Sequence, residues 1–295
     1  MTDNKITKEA HAKINLGLDV LRKREDGYHE VKMIMQTIGL CDTLTFEMTK
    51  ENDIVIESDS GKLPLDEHNL IYKAASVFFE ETGQPFGIKI FLNKRIPIAA
   101  GMAGGSTDAA ATFLALNEIS GQPLSMEKLL EISVKVGADV PYCIMGGTAL
   151  SEGIGEILTK LPAVLPAHVL IAKPNLDVST AFVYKNLKVS ELEFHPDIDG
   201  MRMAIEGHDL KGVTDRMGNV LETVTIPAYP IIGDMKKTCM ENGAVNALMS
   251  GSGPTVFAIF DDLKQAELTA DAIREKYQIE EVYVTGFWGS LEGFL

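Results

Sequence analysis

The segment 97–111, PIAAGMAGGSTDAAA, has the composition of a loop that binds phosphate. Gly101, Gly104 and Gly105 lie close together, and alanines fill most of the gaps, so backbone N–H groups can approach a ligand closely. A helix-forming run over 109–117 follows, and the first turn of a helix presents unpaired N–H donors and the positive end of the helix dipole. Together these features predict an anion site.

Two common phosphate motifs do not fit this segment. A Walker loop requires Lys-Ser/Thr after its last glycine, and a dinucleotide fingerprint requires G-x-G-x-x-G, whereas the chain reads GMAGGS. The hydroxyls of Ser106 and Thr107 can add contacts to phosphate or to Mg²⁺. The alternative is a flexible strand-to-helix turn in which Asp108 only caps the helix.

The apolar pattern predicts the elements that must position this loop. The first 60 residues alternate apolar and polar side chains with many β-branched residues, which is typical of strands. Ser125 is a candidate N-cap, and Gly83 and Gly137 are candidate helix ends. In chain order the pattern predicts strands over 6–21, 42–48 and 53–58, a helix over 70–81, a strand over 87–94, and helices over 109–117 and 125–137.

The second half also alternates strands and helices, but without regular βαβ spacing, which favours an α+β fold over a doubly wound sheet. Pro162 and Pro166 interrupt the chain, and they predict a boundary near residue 160 between two domains, 1–160 and 161–295. The predicted elements of this half are strands over 167–174, 255–260 and 280–287 and helices over 233–244 and 262–277.

Composition excludes several classes of partner. The chain of 295 residues has 27 basic and 42 acidic side chains, a formal net charge of −15, which argues against binding nucleic-acid polymers or an anionic membrane. No apolar run has the length of a signal peptide or a spanning helix. Cys41, Cys143 and Cys239 are far apart, and no Cys/His pattern has zinc spacing. Three reduced thiols in a cytoplasmic protein are expected.

Three segments together carry a family resemblance. AKINLGLDVLRKREDGYHEV lies near the N-terminus, PIAAGMAGGSTDAAA lies in the middle, and MSGSGPTVFAIF covers 249–260. In this order and at these spacings they resemble the GHMP kinases, which phosphorylate small molecules. The resemblance spans nearly the whole chain. It implies a ribosomal-protein-S5-like N-terminal domain that binds ATP and a ferredoxin-like C-terminal domain.

The resemblance implies a catalytic pair. Asp139, in GADVPYCIMGG, matches the family's catalytic aspartate, which takes the proton of the acceptor hydroxyl. Lys13, in AKINLGL, matches the lysine that stabilises the transferring charge. Alternatively, Asp139 is an N-cap ahead of Pro141, and Lys13 is a surface lysine on a strand.

The run DGYHE narrows the resemblance to kinases of a cytidine-diphospho-methylerythritol substrate in the non-mevalonate isoprenoid pathway. Tyr28 and His29 would hold the cytosine, because an aromatic ring and an imidazole can stack on and hydrogen-bond a pyrimidine. Asn15 would lie near the reacting end. Thr180 and Tyr184 would complete the pocket, with Phe182 as the rival aromatic. The alternative for the first pair is a hairpin turn with two surface rings.

The ATP side is implied in the same way. The loop would contribute residues that cradle the phosphates, and Asn69 and Lys94 would lie on the adenine side, with a helix cap and a solvated surface lysine as their alternatives. Ser106 is the candidate Mg²⁺ ligand, and Asp139 can be a second ligand. The late loop SGSGPT, 250–255, is expected to line the cleft. The expected phosphate-loop residues are Pro97, Ala100, Gly101, Met102, Ala103, Gly104, Gly105, Ser106 and Thr107.

The expected reaction is ATP- and Mg²⁺-dependent phosphorylation of the 2-hydroxyl of that substrate by a monomer or weak homodimer. One alternative is a GHMP kinase for mevalonate-type, homoserine or sugar substrates, which have no need of an aromatic clamp such as Tyr28 and His29. The other is an inactive relative that only binds. Retention of both Lys13 and Asp139 argues against it.

Overall fold

A computed structural model describes residues 5–83 and 87–289. The strands are β1 (Lys5–Lys23), β2 (His29–Thr49), β3 (Ile54–Ser58), β4 (Gly87–Asn93), β5 (Thr148–Glu152), β6 (Ile157–Lys160), β7 (His168–Ala172), β8 (Gly218–Asn219), β9 (Asn246–Met249), β10 (Val256–Phe260) and β11 (Val282–Gly286).

The helices follow the same order along the chain. They are α1 (Leu70–Thr82), α2 (Gly104–Ile119), α3 (Met126–Ser133), α4 (Val140–Met145), α5 (Thr180–Asn186), α6 (Ile198–Glu206), α7 (Leu210–Thr214), α8 (Glu222–Ala228), α9 (Ile231–Glu241) and α10 (Leu263–Tyr277), with a 3₁₀ turn at Val189–Glu191. Sheets and helices are both extensive, and the α+β class predicted from the sequence is confirmed.

The described chain divides into two compact units whose segments alternate along the sequence. The first unit comprises residues 5–12, 40–96 without 84–86, and 103–145; the second comprises residues 13–39, 97–102 and 146–289. The long strands β1 and β2 therefore contribute to both units. The predicted boundary near residue 160 stays a prediction.

In the first unit, β4 pairs antiparallel with β2 and parallel with β3, and β1 follows β2 in the strand order. Helices α1, α2 and α4 cover this sheet, and α2 packs against both of the others. The core between the layers is built from fully buried aromatic and aliphatic side chains such as Phe46, Phe78 and Phe113. Helix α2 is thus the central helix of this unit.

In the second unit, β1 pairs parallel with β8 through Gly17 and Gly218, and β2 pairs antiparallel with β5, which also pairs with β6. A separate antiparallel sheet has the order β11-β7-β10-β9, and helices α9 and α10 pack on it. Within the described residues, no helix has the length and apolar character needed to cross a membrane.

The local signals located several helix ends correctly. Asn69 caps α1 by accepting from Ile71 N, and Gly83 follows its last turn, as the predicted helix over 70–81 requires. Ser125 caps α3, as predicted, but that helix ends at Ser133 rather than at Gly137. The next two N–H groups, of Lys135 and Val136, bond three residues back, so the chain tightens into turns and leaves the α-helical path early.

Candidate active site

The first turn of α2 presents free backbone donors. Ala103 precedes the helix with a left-handed φ of 59°, and its carbonyl accepts from Thr107 N at 2.9 Å. The N–H groups of Gly104, Gly105 and Ser106 come before that bond, so they have no acceptor inside the helix. Alanine has no side-chain acceptor to cap them. Because Gly105 is exposed and Ser106 half-exposed, these donors can meet an anion.

The glycine segment is shorter as a loop than predicted. Helix α2 begins at Gly104, five residues before the predicted start at Ala109, because the glycines adopt helical geometry once Ala103 has turned the chain. The side chains of Pro97, Ala100 and Met102 are buried and anchor the loop. Only the backbone of this part is placed to contact a ligand.

A buried group of three charged side chains lies directly beneath this turn. Lys94 Nζ donates to Asp42 Oδ2 at 2.5 Å and to Asp108 Oδ2 at 2.8 Å. The exposed fractions of the three side chains are 6% for Lys94, 0% for Asp42 and 4% for Asp108. The alternative of a solvated surface lysine at Lys94 is therefore wrong. The lysine joins α2 to β2 instead.

The two aspartates are bound differently. Asp42 Oδ1 accepts from Arg95 N at 2.5 Å and from Ile96 N at 2.8 Å, so both of its oxygens are occupied. Asp108 Oδ1 is buried without a hydrogen-bond partner. Burial raises the pKa of Asp108 to about 8, since the neighbouring Lys94 offsets the desolvation only in part. Burial lowers the pKa of Lys94, but the two carboxylates outweigh it and raise that pKa overall.

Glycine at position 104 leaves room for this close packing. A Cβ there would lie 3.1 Å from Lys94 Nζ and 3.1 Å from Ile96 Cγ2. The Lys94 ammonium group therefore occupies the space next to Gly104 that a side chain at position 104 would need. Thr107 Oγ1, one turn along, donates to the carbonyl of His11 at 2.8 Å, which ties α2 to β1.

The first unit also contains Asn69 and Asp139. Asn69 is 8% exposed and donates to Pro64 O besides capping α1, so its predicted alternative as a helix cap is confirmed. Asp139 is half-buried, and its carbonyl accepts from Cys143 N at the start of α4. Ser106 Oγ lies 3.9 Å from the position a Cβ would take on Gly137, two residues before Asp139. The two predicted metal-ligating residues thus lie on neighbouring segments.

In the second unit, Lys13 and Asn15 form a buried polar pair on β1. Lys13 Nζ donates to Asn15 Oδ1 at 2.8 Å, and Asn15 Nδ2 contacts Met33 Sδ at 3.4 Å. The side chain of Lys13 is 6% exposed, so the alternative of a surface lysine is wrong here as well. The N–H of Lys13 donates to Met102 O at 3.2 Å, which fixes the end of the glycine loop beside this pair.

The late loop contacts the glycine loop directly. Ser250 Oγ donates to Gly101 O at 3.0 Å, and a Cβ on Gly101 would lie only 2.4 Å from Ser250 O. Gly101 also has a φ of 71°. Both the close contact with Ser250 and this backbone conformation therefore disfavour a side chain at position 101. Asn219 Nδ2 donates to the carbonyls of Met249 and Gly251 and fixes the late loop from β8.

The predicted pyrimidine-binding residues meet at the far end of the same loop. Thr180 Oγ1 lies 2.9 Å from Ser252 Oγ, and one turn further along α5 the ring of Tyr184 lies 5.2 Å from that of His29. Tyr28 is 62% exposed and Phe182 is 40% exposed. Burial lowers the pKa of His29, and Lys23 adds to the shift. The structure therefore pairs His29 with Tyr184.

Sequence reasoning missed several of these partners. Asp42 carried a signal, because it is a carboxylate inside the apolar strand GLCDTLTF. Asp108 was interpreted only as a helix cap. Asn219 and Met33 gave no signal, since each depends on a strand pairing between distant parts of the chain.

The two halves of the chain match two known domains in chain order. The GHMP kinases N terminal domain matches residues 69–147, and the GHMP kinases C terminal domain matches residues 201–279. The first match contains the first turn of α2, and the second contains the late loop. The chain therefore belongs to the GHMP kinases.

Two similar curated proteins and one similar crystal structure bear the name of the same kinase. A 4-diphosphocytidyl-2-C-methyl-D-erythritol kinase of Lachnospira eligens is 50% identical over 94% of this chain and 96% of its own length. One of Lachnoclostridium phytofermentans is 53% identical, covering 89% and 90%. A crystal structure of 4-(cytidine 5'-diphospho)-2C-methyl-D-erythritol kinase superimposes with a TM-score of 0.82 at 30% identity, covering 97% of this chain and 100% of that one. Within the GHMP kinases, the chain belongs to this group.

The buried charges predict a pH-dependent stability. The pKa of Asp108 lies above its usual value of 3.8, so the folded chain holds this proton up to about pH 8, and the stability it contributes is lost as pH rises through that value. The variant Asp108→Asn cannot lose a proton. Its free energy of unfolding relative to wild type should therefore rise between about pH 5 and about pH 9 in urea titrations.

Two further variants serve as comparisons for Asp108→Asn. Asp261→Asn removes an exposed carboxylate, and its difference from wild type should be independent of pH over this range. Asp42→Asn places an amide N–H₂ among three donors, so it should cost about 3–5 kcal/mol at any pH. A pH-independent difference for Asp108→Asn would contradict the assignment.

Proposed function

We propose that this kinase transfers the γ-phosphoryl group of ATP to the 2-hydroxyl of 4-diphosphocytidyl-2-C-methyl-D-erythritol, giving the 2-phosphate and ADP. The supporting observation is the row of contacts in the second unit, from Lys13 and Asn15 through the late loop to the His29–Tyr184 ring pair. The row has a cation at one end and an aromatic pair at the other, which suits a pyrimidine nucleotide with a reacting hydroxyl at its far end.

Asp139 would accept the proton of the 2-hydroxyl as the oxygen attacks, a role that contributes about 10²–10⁴-fold. Lys13 would stabilise the negative charge that spreads over the transferring group. Its ammonium is held by Asn15 at 2.8 Å, so it needs little reorganisation during the reaction. Asn15 thereby acts as a positioning residue for Lys13.

The phosphates of ATP would lie against the N–H groups of Gly104, Gly105 and Ser106 at the first turn of α2. Asn69 is proposed on the adenine side, next to the start of α1. Lys94 has both carboxylate partners buried beside it, so we assign it to the support of the turn and not to an adenine contact. The positive potential at the three donors comes from the positive end of the α2 dipole.

Mg²⁺ fits the oxygen ligands of this part of the chain. It prefers few protein ligands, with water and phosphate oxygens completing the shell. Ser106 Oγ and the Asp139 carboxylate would hold it, since their segments adjoin at Gly137. When bound, the ion neutralises part of the charge on the phosphates.

The two family matches support the proposed division of labour, with ATP binding in residues 1–160 and a second domain over 161–295. None of the three cysteines forms a disulfide, in keeping with the proposed cytoplasmic location. Given the charge of −15, we propose small-molecule ligands only, with neither nucleic-acid polymers nor membranes as partners. The chain would act as a monomer or weak homodimer.

The catalytic assignment predicts that Asp139→Asn and Lys13→Met each lower kcat by about 10²–10⁴-fold while the melting temperature changes little. Purified variants would be given ATP, Mg²⁺ and the cytidine-diphospho substrate, and ADP release would be followed. Asp261→Asn and Lys264→Met, which alter exposed side chains, serve as matched controls and should keep wild-type kcat.

The same assay separates the other functions. Turnover of mevalonate or homoserine in preference to the cytidine-diphospho substrate would overturn the substrate assignment. An absence of turnover on every alcohol by the wild-type chain would indicate a binding protein. A kcat within a few-fold of wild type in Asp139→Asn would contradict the role of that aspartate.

The ring pair predicts that Tyr184→Ala raises the KM for the cytidine-diphospho substrate by about tenfold or more, because stacking on a base contributes about 1–3 kcal/mol. The KM for ATP should not change. Phe182→Ala is the matched control, since Phe182 lies on the same helix and is 40% exposed. A larger effect from Phe182 than from Tyr184 would contradict the geometry.

A further inference from the structure

Three metal-ligating side chains meet on β1 and β2 in the first unit, and the proposed reaction uses none of them. Glu9, His11 and Cys41 place a carboxylate oxygen, an imidazole nitrogen and a sulfur atom within 4.8 Å of one another. Glu9 Oε2 lies 3.3 Å from His11 Nε2. A carboxylate, an imidazole and a thiol are the three side-chain groups that most often hold zinc in proteins.

The strand geometry explains why they meet. Glu9 and His11 are two residues apart on β1, so they point to the same face. Thr7 and Thr45 contact each other across β1 and β2 at 3.3 Å, and four residues further along each antiparallel strand the facing positions are His11 and Cys41. The histidine and the cysteine are 30 positions apart, so the absence of a Cys/His pattern with zinc spacing in the sequence does not bear on this pair.

The backbone is fixed on both sides of the cluster. The carbonyl of His11 accepts from Thr107 Oγ1 at 2.8 Å. Asp42, next to Cys41, accepts from the backbone of Arg95 and Ile96. Fixed backbone positions hold ligands close to their binding geometry, so little ordering is needed when an ion arrives.

We infer that Glu9, His11 and Cys41 form a binding site for Zn²⁺. The ligands of a tetrahedral zinc ion lie about 3–4 Å apart, a spacing that small side-chain rotations reach from the present positions. A thiolate and a carboxylate balance the charge of the ion, and water takes the fourth position. The side chain of Glu9 is 57% exposed and that of His11 is 13% exposed, so the ion can enter from solvent past the carboxylate.

This site differs in chemistry from the one proposed for Mg²⁺. Magnesium prefers oxygen ligands and binds thiolate and imidazole poorly, whereas zinc accepts nitrogen, sulfur and oxygen together. Zinc binding therefore depends on Cys41 and His11 and does not depend on ATP. Zinc held there links β1 to β2, so it stabilises the folded chain by mass action.

The test uses the full untagged chain after treatment with a chelator, with Co²⁺ as the spectroscopic probe and Zn²⁺ titrated against a chromogenic chelator. The wild type should bind a single equivalent of each ion and show a thiolate-to-cobalt charge-transfer band. Its melting temperature should rise with Zn²⁺ and stay unchanged with Mg²⁺ alone.

Cys41→Ser should abolish the cobalt band and weaken Zn²⁺ binding by at least about tenfold, and His11→Gln should weaken it to a similar degree. Both variants should keep the wild-type melting temperature in chelator, which shows that they fold. Cys143→Ser, which alters another half-buried thiol, should bind as the wild type does. Absence of a cobalt band in the wild type, or its loss in Cys143→Ser instead, would overturn the proposal. Neither result depends on kinase activity.

Discussion

The buried contact between Lys94 and the first turn of α2 is the interaction on which the first unit depends. An ammonium group with two carboxylates is costly to bury, and the arrangement persists because Asp42 is fully hydrogen-bonded and Asp108 can keep its proton. The result is a fixed first turn whose N–H groups of Gly104, Gly105 and Ser106 have no acceptor inside the helix. Helix α2 also packs against α1 and α4, so the position of this turn sets the position of the whole helical layer.

In the second unit, close backbone contacts hold the glycine loop and the late loop in place. Gly101 comes so close to Ser250 that no side chain fits between them, and Asn219 fixes the carbonyls of the late loop from the other side. A loop held in this way presents Ser252 to Thr180. Close backbone approach, more than side-chain packing, therefore positions the residues proposed to bind the substrate.

The sequence predicted what depends on local chemistry. Ser125 is predicted as a helix cap, and a cap is the alternative for Asn69, because capping needs only a side-chain acceptor and the next few N–H groups. The start of α2 was placed five residues late, since glycine disfavours helices intrinsically and only the packing on Lys94 and Ile96 overrides that preference.

The partners of Lys94 were beyond local inference. They lie 52 and 14 residues away in sequence, and they meet only when β2, β4 and α2 are assembled. The site residues themselves were found through a family resemblance carried by three short segments. The contact between Lys13 and Asn15 is local, since the two residues lie two apart on β1, but the contact of Asn15 with Met33 requires the fold.

The central proposal is that the first turn of α2, held over the buried lysine, binds the phosphates of the nucleotide. Equilibrium binding of ADP and of adenosine to wild type and to Gly104→Ala tests this directly, because the added Cβ displaces the turn without removing a charge. ADP affinity should fall by about tenfold, which corresponds to ~1.4 kcal/mol, while adenosine affinity stays unchanged. An equal loss for both ligands, or no loss for ADP, would contradict the claim.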